Sequence, residues 1–178
     1  MKIWFENTSP REKDEIRRKF EEYPGEDIFS ASLTMFKGDV HIENHGSEIV
    51  FENVRVVNFS VLLMYSSVVL SFIKETTRRI EYEHPGAVRL SLSIESSDFV
   101  MDVQLGTGAT IRRDGLPVVP GNGFEARFPL QLWNLAIGEY YESIIHFVEG
   151  NLNGIDGVRE FFCHIPFFEV FGVTDQLQ

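Results

Sequence analysis

Cysteine is nearly absent: Cys163 is the only one in 178 residues. An intramolecular disulfide is therefore excluded, as is a zinc site built from several thiolates, and a reducing compartment is the expected setting. Positive charge is also in short supply, with sixteen Lys and Arg against twenty-seven Asp and Glu and a formal net charge of −11. Wrapping of nucleic acid or adhesion to an anionic membrane needs the opposite balance, because both depend on a cation surplus that meets phosphates. The deficit is uneven. From residue 129 to the last, Arg159 alone faces Glu139, Glu142, Glu149, Asp156, Glu160, Glu169 and Asp175, so this stretch carries −6 of the −11. An acidic surface of this kind favours solubility and is suited to steering a basic protein.

The common catalytic signatures are missing as well. Gly106-Thr107-Gly108-Ala109-Thr110 lacks the third glycine of a dinucleotide loop, and no serine stands in GxSxG. His41 and His45 are four apart but flank a turn, and no HExxH surrounds them. Cys163 and His164 are adjacent, and in a strand they would point to opposite faces, which is wrong for a nucleophile and its base. Asn151, Asn153 and Asp156 lack the spacing and closing glutamate of a calcium loop. No cofactor and no metal is expected on these grounds. The first residues, MKIWFENTSPREKDE, contain Glu6 and no apolar core of signal-peptide length, so a cytoplasmic location is expected.

What the chain does contain is apolar and aromatic material, 43% and 13% of its residues, enough to fill one continuous core, and a single domain over 1–178 is expected. Lys2 to Phe5 fit a strand, and Ser9-Pro10 offers a cap and first-turn proline for a short helix over 11–23. Phe29, Ala31, Leu33 and Met35 alternate, as do Val40 with Ile42 and Ile49 with Phe51, with Lys37-Gly38-Asp39 and Asn44-His45-Gly46 as turns. Asn53 breaks the register before Val54 and Val56. Further on, Val88, Leu90, Leu92 and Ile94 form the clearest strand, followed by Phe99, Met101, Val103 and Leu105, and Asp114-Gly115 is a hairpin signal. A second long helix is read from Pro129 to Glu149, with Trp133, Ile137, Tyr140, Ile144 and Phe147 or Val148 on its apolar face.

The run VVNFSVLLMYSSVVLSFI, residues 56–73, has no charge at all. Ser60, Ser67, Ser71, Lys74 and Arg78 fall on one stripe of a helical wheel, while apolar residues take most of the circle. Val56 and Val57 read as the end of a strand, Asn58 as a cap, and the helix from Phe59 onward, past Ile73 toward Ile80. Its uncharged part, about fifteen residues or about 22 Å, is too short for a hydrocarbon core of about 30 Å. A core helix covered on nearly every side is the expectation. Strands in consecutive blocks joined by tight turns give an α+β fold: one antiparallel meander sheet with two long helices packed on one face, plus the short N-terminal helix.

Three functional readings follow. In general type, a small acidic α+β chain without a catalytic motif is similar to bacterial immunity proteins, which bind and neutralise a toxin that is often a basic nuclease. That likeness implies a non-catalytic module with a protein partner, most concretely a basic toxin. The acidic and aromatic stretch would supply the contacts: Glu139, Glu142, Glu149, Glu160, Phe167, Phe168 and Phe171. A second reading is a small-molecule binder or enzyme using a groove between sheet and helices, with Arg127, Tyr140, Tyr141 and His146 as polar liners. The third is a structural homo-oligomer, a homodimer with the uncharged helix at its interface.

Overall fold

The computed structural model describes residues 1–7, 18, 36–72, 79–84 and 87–151. Nine strands and two helices lie among them, in two antiparallel sheets. The first sheet has the order β1 (Lys2–Asn7), β2 (Lys37–Asn44), β3 (Ser47–Arg55), β7 (Thr110–Arg113), β8 (Leu116–Pro117). The second runs β4 (Arg79–His84), β5 (Val88–Glu95), β6 (Asp98–Leu105), β9 (Gly123–Pro129). Helix α1 (Val56–Phe72) follows β3, and α2 (Leu130–Asn151) follows β9, each without an intervening residue.

The α+β class holds, and the single meander does not. The chain leaves the second sheet after β6, adds the β7–β8 hairpin to β3 of the first, and returns as β9 beside β6. Asp114 and Gly115, both with positive φ, make the tight turn of that hairpin. Asp114 also fastens it to the β2–β3 turn: its Oδ1 accepts from Ser47 Oγ at 2.8 Å and from the Glu48 N–H at 2.9 Å. The helix expected over 11–23 lies outside the described residues apart from Arg18, which is helical, and the described N-terminal segment is strand.

Three further expectations need correction. Lys37-Gly38-Asp39 is not a turn but the start of β2, where the pairing with β3 shifts register between Gly38 and Val40. The irregularity has a built reason: Asn53, on β3, sits at φ 52° and donates its N–H to Asp39 Oδ1 at 2.8 Å, so the register break read at Asn53 is present and side-chain supported. The helix begins at Val56, inside the segment expected to be strand, and Asn58 lies within its first turn rather than capping it. The Val56 N–H donates to the Phe36 carbonyl at 2.9 Å, and both valines are fully buried, so packing overrides their β preference. Nor does the helix reach Ile80. Arg79–His84 is β4, paired residue by residue with β5, and Ile80 and Tyr82 alternate as a strand requires.

α1 and α2 pack on each other, α1 against β2, β3, β4 and β5, and α2 against β1, β6 and β9, so each helix touches both sheets. The serine stripe of α1 turns out to face α2. Ser60, Ser66 and Ser67 are buried, Ser60 Oγ lies 2.9 Å from the Tyr140 hydroxyl, and Trp133 Nε1 donates to Ser67 Oγ at 2.7 Å. The partners are seven apart on each helix and pair in opposite order, so the two helices run antiparallel. Each serine hydroxyl also bonds the carbonyl four residues back, Val56 for Ser60 and Leu63 for Ser67, which leaves the oxygen to accept from α2. Small serines let the helices approach and absorb the two polar atoms that Trp133 and Tyr140 bring inside. The Trp133 ring stacks on Phe99 at 4.0 Å and 7°, with Phe128 at 5.2 Å, joining the helix pair to the second sheet. Among the described residues no helix is long and apolar enough to cross a membrane.

Candidate binding surfaces

The buried face of α2 carries Trp133, Ala136, Ile137, Tyr140, Tyr141, Ile144, Ile145 and Val148. Val148 rather than Phe147 completes it, Phe147 being half-buried against Phe5 and Phe36. The opposite face is therefore fixed. Gln131, Leu135, Glu139, Glu142, His146 and Glu149 recur at intervals of four, four, three, four and three, which is five full turns and one straight line down the helix. Leu132 and Leu135 are exposed at its start, Leu135 to 64%, and Glu139, Glu142 and His146 are exposed further along. Glu149 is half-buried, with Oε2 at 3.4 Å from His146 Nδ1.

Three of the acidic residues expected at a partner surface are thus brought together on one helix face. Glu160, Phe167, Phe168 and Phe171 lie outside the described residues. The four expected pocket liners are not brought together. Tyr140 is sealed between the helices, where burial raises its pKa above the ordinary tyrosine value, and Tyr141 is buried nearby on α2. His146 stands on the outer face. Arg127 is exposed on β9 between Glu125 at 2.6 Å and Glu95 at 2.8 Å, and those bonds raise its pKa, Glu125 first. An inward helix face and an outward strand face cannot line one groove, and residue types alone do not separate them.

A cavity of about 400 Å³ does exist elsewhere, where β3 turns into α1 between the two sheets. Phe51, Phe59, Leu62 and Ile111, all buried, form much of its apolar wall, and the Phe51 and Phe59 rings meet at 4.8 Å. Its polar lining includes Lys37, Glu52, Arg55, Asn58 and Tyr82. Tyr82 is half-buried, and burial raises its pKa against a smaller opposing effect of Arg55, so the two side chains share one electrostatic environment across the gap between the sheets. Glu52 is held by Arg112 at 2.6 Å. The Asn58 Oδ1 is shut off from solvent and has no hydrogen-bond partner among the described residues. The liners come from six separate elements, and only the fold collects them.

Among the described residues, His41 is a histidine in a built environment. It stacks on Trp4 at 4.7 Å and 10°, with Nδ1 at 2.9 Å from Glu48 Oε1. Its neighbour by spacing, His45, is a turn residue at φ 52°, so the two do not converge. No group of three or more metal-ligating side chains occurs among the described residues. Comparison of the chain with protein families, with curated proteins and with solved structures returned no match.

Proposed function

We propose that the protein is a non-catalytic binding module that takes a basic protein partner on the outer face of α2. One observation carries this reading. Glu139 and Glu142 share the exposed line of α2 with Leu135, and the half-buried Glu149 continues the acidic line toward its end. The line also has the composition of a contact patch: apolar side chains at one end for desolvated packing, charges along the rest for orientation and encounter rate.

The most concrete form of the proposal is an immunity-type inhibitor that neutralises a basic toxin, in keeping with the net charge of −11. The test uses the product of the neighbouring open reading frame as bait, with the full chain and a Glu139→Lys/Glu142→Lys variant as analytes. Tight binding by the wild type, association that slows as salt rises, and an on-rate reduced by about tenfold or more in the variant are the expected results. Identical kinetics for both chains would remove the α2 face from the interaction.

A further inference from the structure

We infer that the outer edge of β4 is a self-association surface, on which a second copy of this chain pairs antiparallel and joins two four-stranded sheets into one continuous sheet. The inference uses no residue of the α2 face and stands apart from the protein-binding reading. The edge comes first. Among the described residues β4 ends its sheet and is paired on one side only, with β5, so its other side presents a row of backbone N–H and C=O groups. Its inward residues, Ile80 and Tyr82, pack against the core and yet are only half-buried. At the opposite edge of the same sheet, Ala126 and Phe128 of β9 are already buried, with α2 packed on that strand. The apolar side of β4 is the one left incomplete.

Charge selects the occupant. Arg79, Glu81 and Glu83 are the outward residues of β4, all exposed, and Arg89 on β5 stands opposite Glu83 and bonds Glu81 at 2.8 Å. These two arginines and two glutamates cancel. In a chain of net charge −11 the edge itself is neutral, so a second copy, just as acidic, meets no repulsion at the contact.

Register then follows from the side chains. Residues directly opposite in an antiparallel pair share a face, so a slip by one residue would set Ile80 and Tyr82 against charges. A two-fold axis at Glu81 keeps the faces matched. It places Arg79 of each copy opposite Glu83 of the other, and Ile80 opposite Tyr82, so one opposite-charge pair and one aliphatic–aromatic pair each occur twice. Only Glu81 then meets its like, and each copy brings Arg89 to answer it. An axis at Ile80 shortens the overlap to the first three residues of the strand, and an axis at Tyr82 sets Glu81 against Glu83. The sequence of β4 is thus complementary to itself in one alignment.

Light scattering on the full chain, diluted from about 500 to about 5 μM, should show a reversible dimer, weak because the contact is small. Arg79→Glu should raise its dissociation constant by about tenfold or more, since two attractive pairs become repulsive. Glu83→Arg should do the same, and an equimolar mixture of the two variants should associate again, because one pair is then native and the other reversed. Oxidation in a Cys163→Ser chain reads the geometry. Position 81 lies on the two-fold axis, about 4.5 to 5.5 Å from its counterpart, so Glu81→Cys should give a disulfide-linked dimer. Position 79 is four residues from its counterpart, about 13 Å, and Arg79→Cys should give none. A wild type that stays monomeric throughout overturns the self-association. A dimer that survives Arg79→Glu unchanged, or that links through Arg79→Cys as readily as through Glu81→Cys, overturns the β4 pairing.

Discussion

The Tyr140 hydroxyl lies 2.9 Å from Ser60 Oγ in the sealed interface between α1 and α2, and the two residues depend on each other unequally. Ser60 donates its proton to the Val56 carbonyl, and its oxygen accepts the proton of Tyr140. Ser60→Ala therefore strands a buried phenol, at a cost of about 1 to 3 kcal/mol, offset by a few tenths from the better helix propensity of alanine. Tyr140→Phe leaves Ser60 bonded to its own helix and should cost about 1 kcal/mol or less. Urea denaturation should rank Ser60→Ala as the more damaging change, and the double variant should recover part of its loss. A larger loss for Tyr140→Phe would reverse the donor assignment.

Trp133 joins three elements, through its stack on Phe99, its contact with Phe128 and its bond to Ser67. Trp133→Ala should cost about 3 to 5 kcal/mol, a large share of the about 5 to 15 kcal/mol by which domains are stable. Trp133→Phe keeps most of the stack and should cost clearly less. Chemical denaturation followed by far-ultraviolet dichroism measures both without relying on the lost fluorophore.

Two glycines should respond to the same substitution with opposite signs. A side chain at Gly38 would run into the Glu6 carbonyl oxygen across the β1–β2 pair, and Gly38→Ala should push these strands apart and lower the melting temperature. Gly138 lies inside α2 with open space where a methyl group would go, so Gly138→Ala should stabilise by about 0.8 to 1 kcal/mol. A loss at Gly138 would mean that the outer side of the helix is not free at that point.

Acid should loosen the β7–β8 hairpin first. The Glu48 N–H, then the Ser47 hydroxyl, hold the Asp114 carboxyl below its ordinary value of 3.8. A carboxyl with a depressed folded-state pKa adds stability above its unfolded value, and that contribution is lost as pH falls through the folded value. The stability gap between wild type and Asp114→Asn should thus be full near neutrality and close below about pH 4, when urea midpoints are compared across pH. A gap constant through the acid range would assign the effect to geometry rather than charge.

Much of this architecture was legible in the chain because alternation and turn chemistry are local. Leu90 and Leu92, Phe99 and Met101, the Asp114-Gly115 turn and the inward line from Trp133 to Val148 stand where their spacing puts them. The division into two sheets was not legible, because the choice of β7 to pair with β3 rather than β6 is a long-range decision. β4 was hidden because Ile80 also falls in line with the apolar arc of the preceding helix, while Arg79, Glu81 and Glu83 are the outward half of a strand. The serines of α1 fall on one stripe of the wheel, but their neighbour on α2 is not legible there, since a wheel tells which residues share a side and not what lies against it. The cavity falls outside any local signal, its liners being drawn from β2, β3, α1, the sheet bearing β4 and β5, and β7.

The paired hydroxyl contacts between the helices work like a two-pin plug. Ser60 with Tyr140 and Ser67 with Trp133 are two turns apart, so sliding one helix by a single turn, about 5.4 Å, or rolling it by one residue, unseats both together. The depth and the azimuth of α2 are then indexed by its hidden side. Which residues it shows to the outside, from Leu135 through Glu139 and Glu142 to Glu149, is in that sense decided in the interior, by two serines that a partner would never touch.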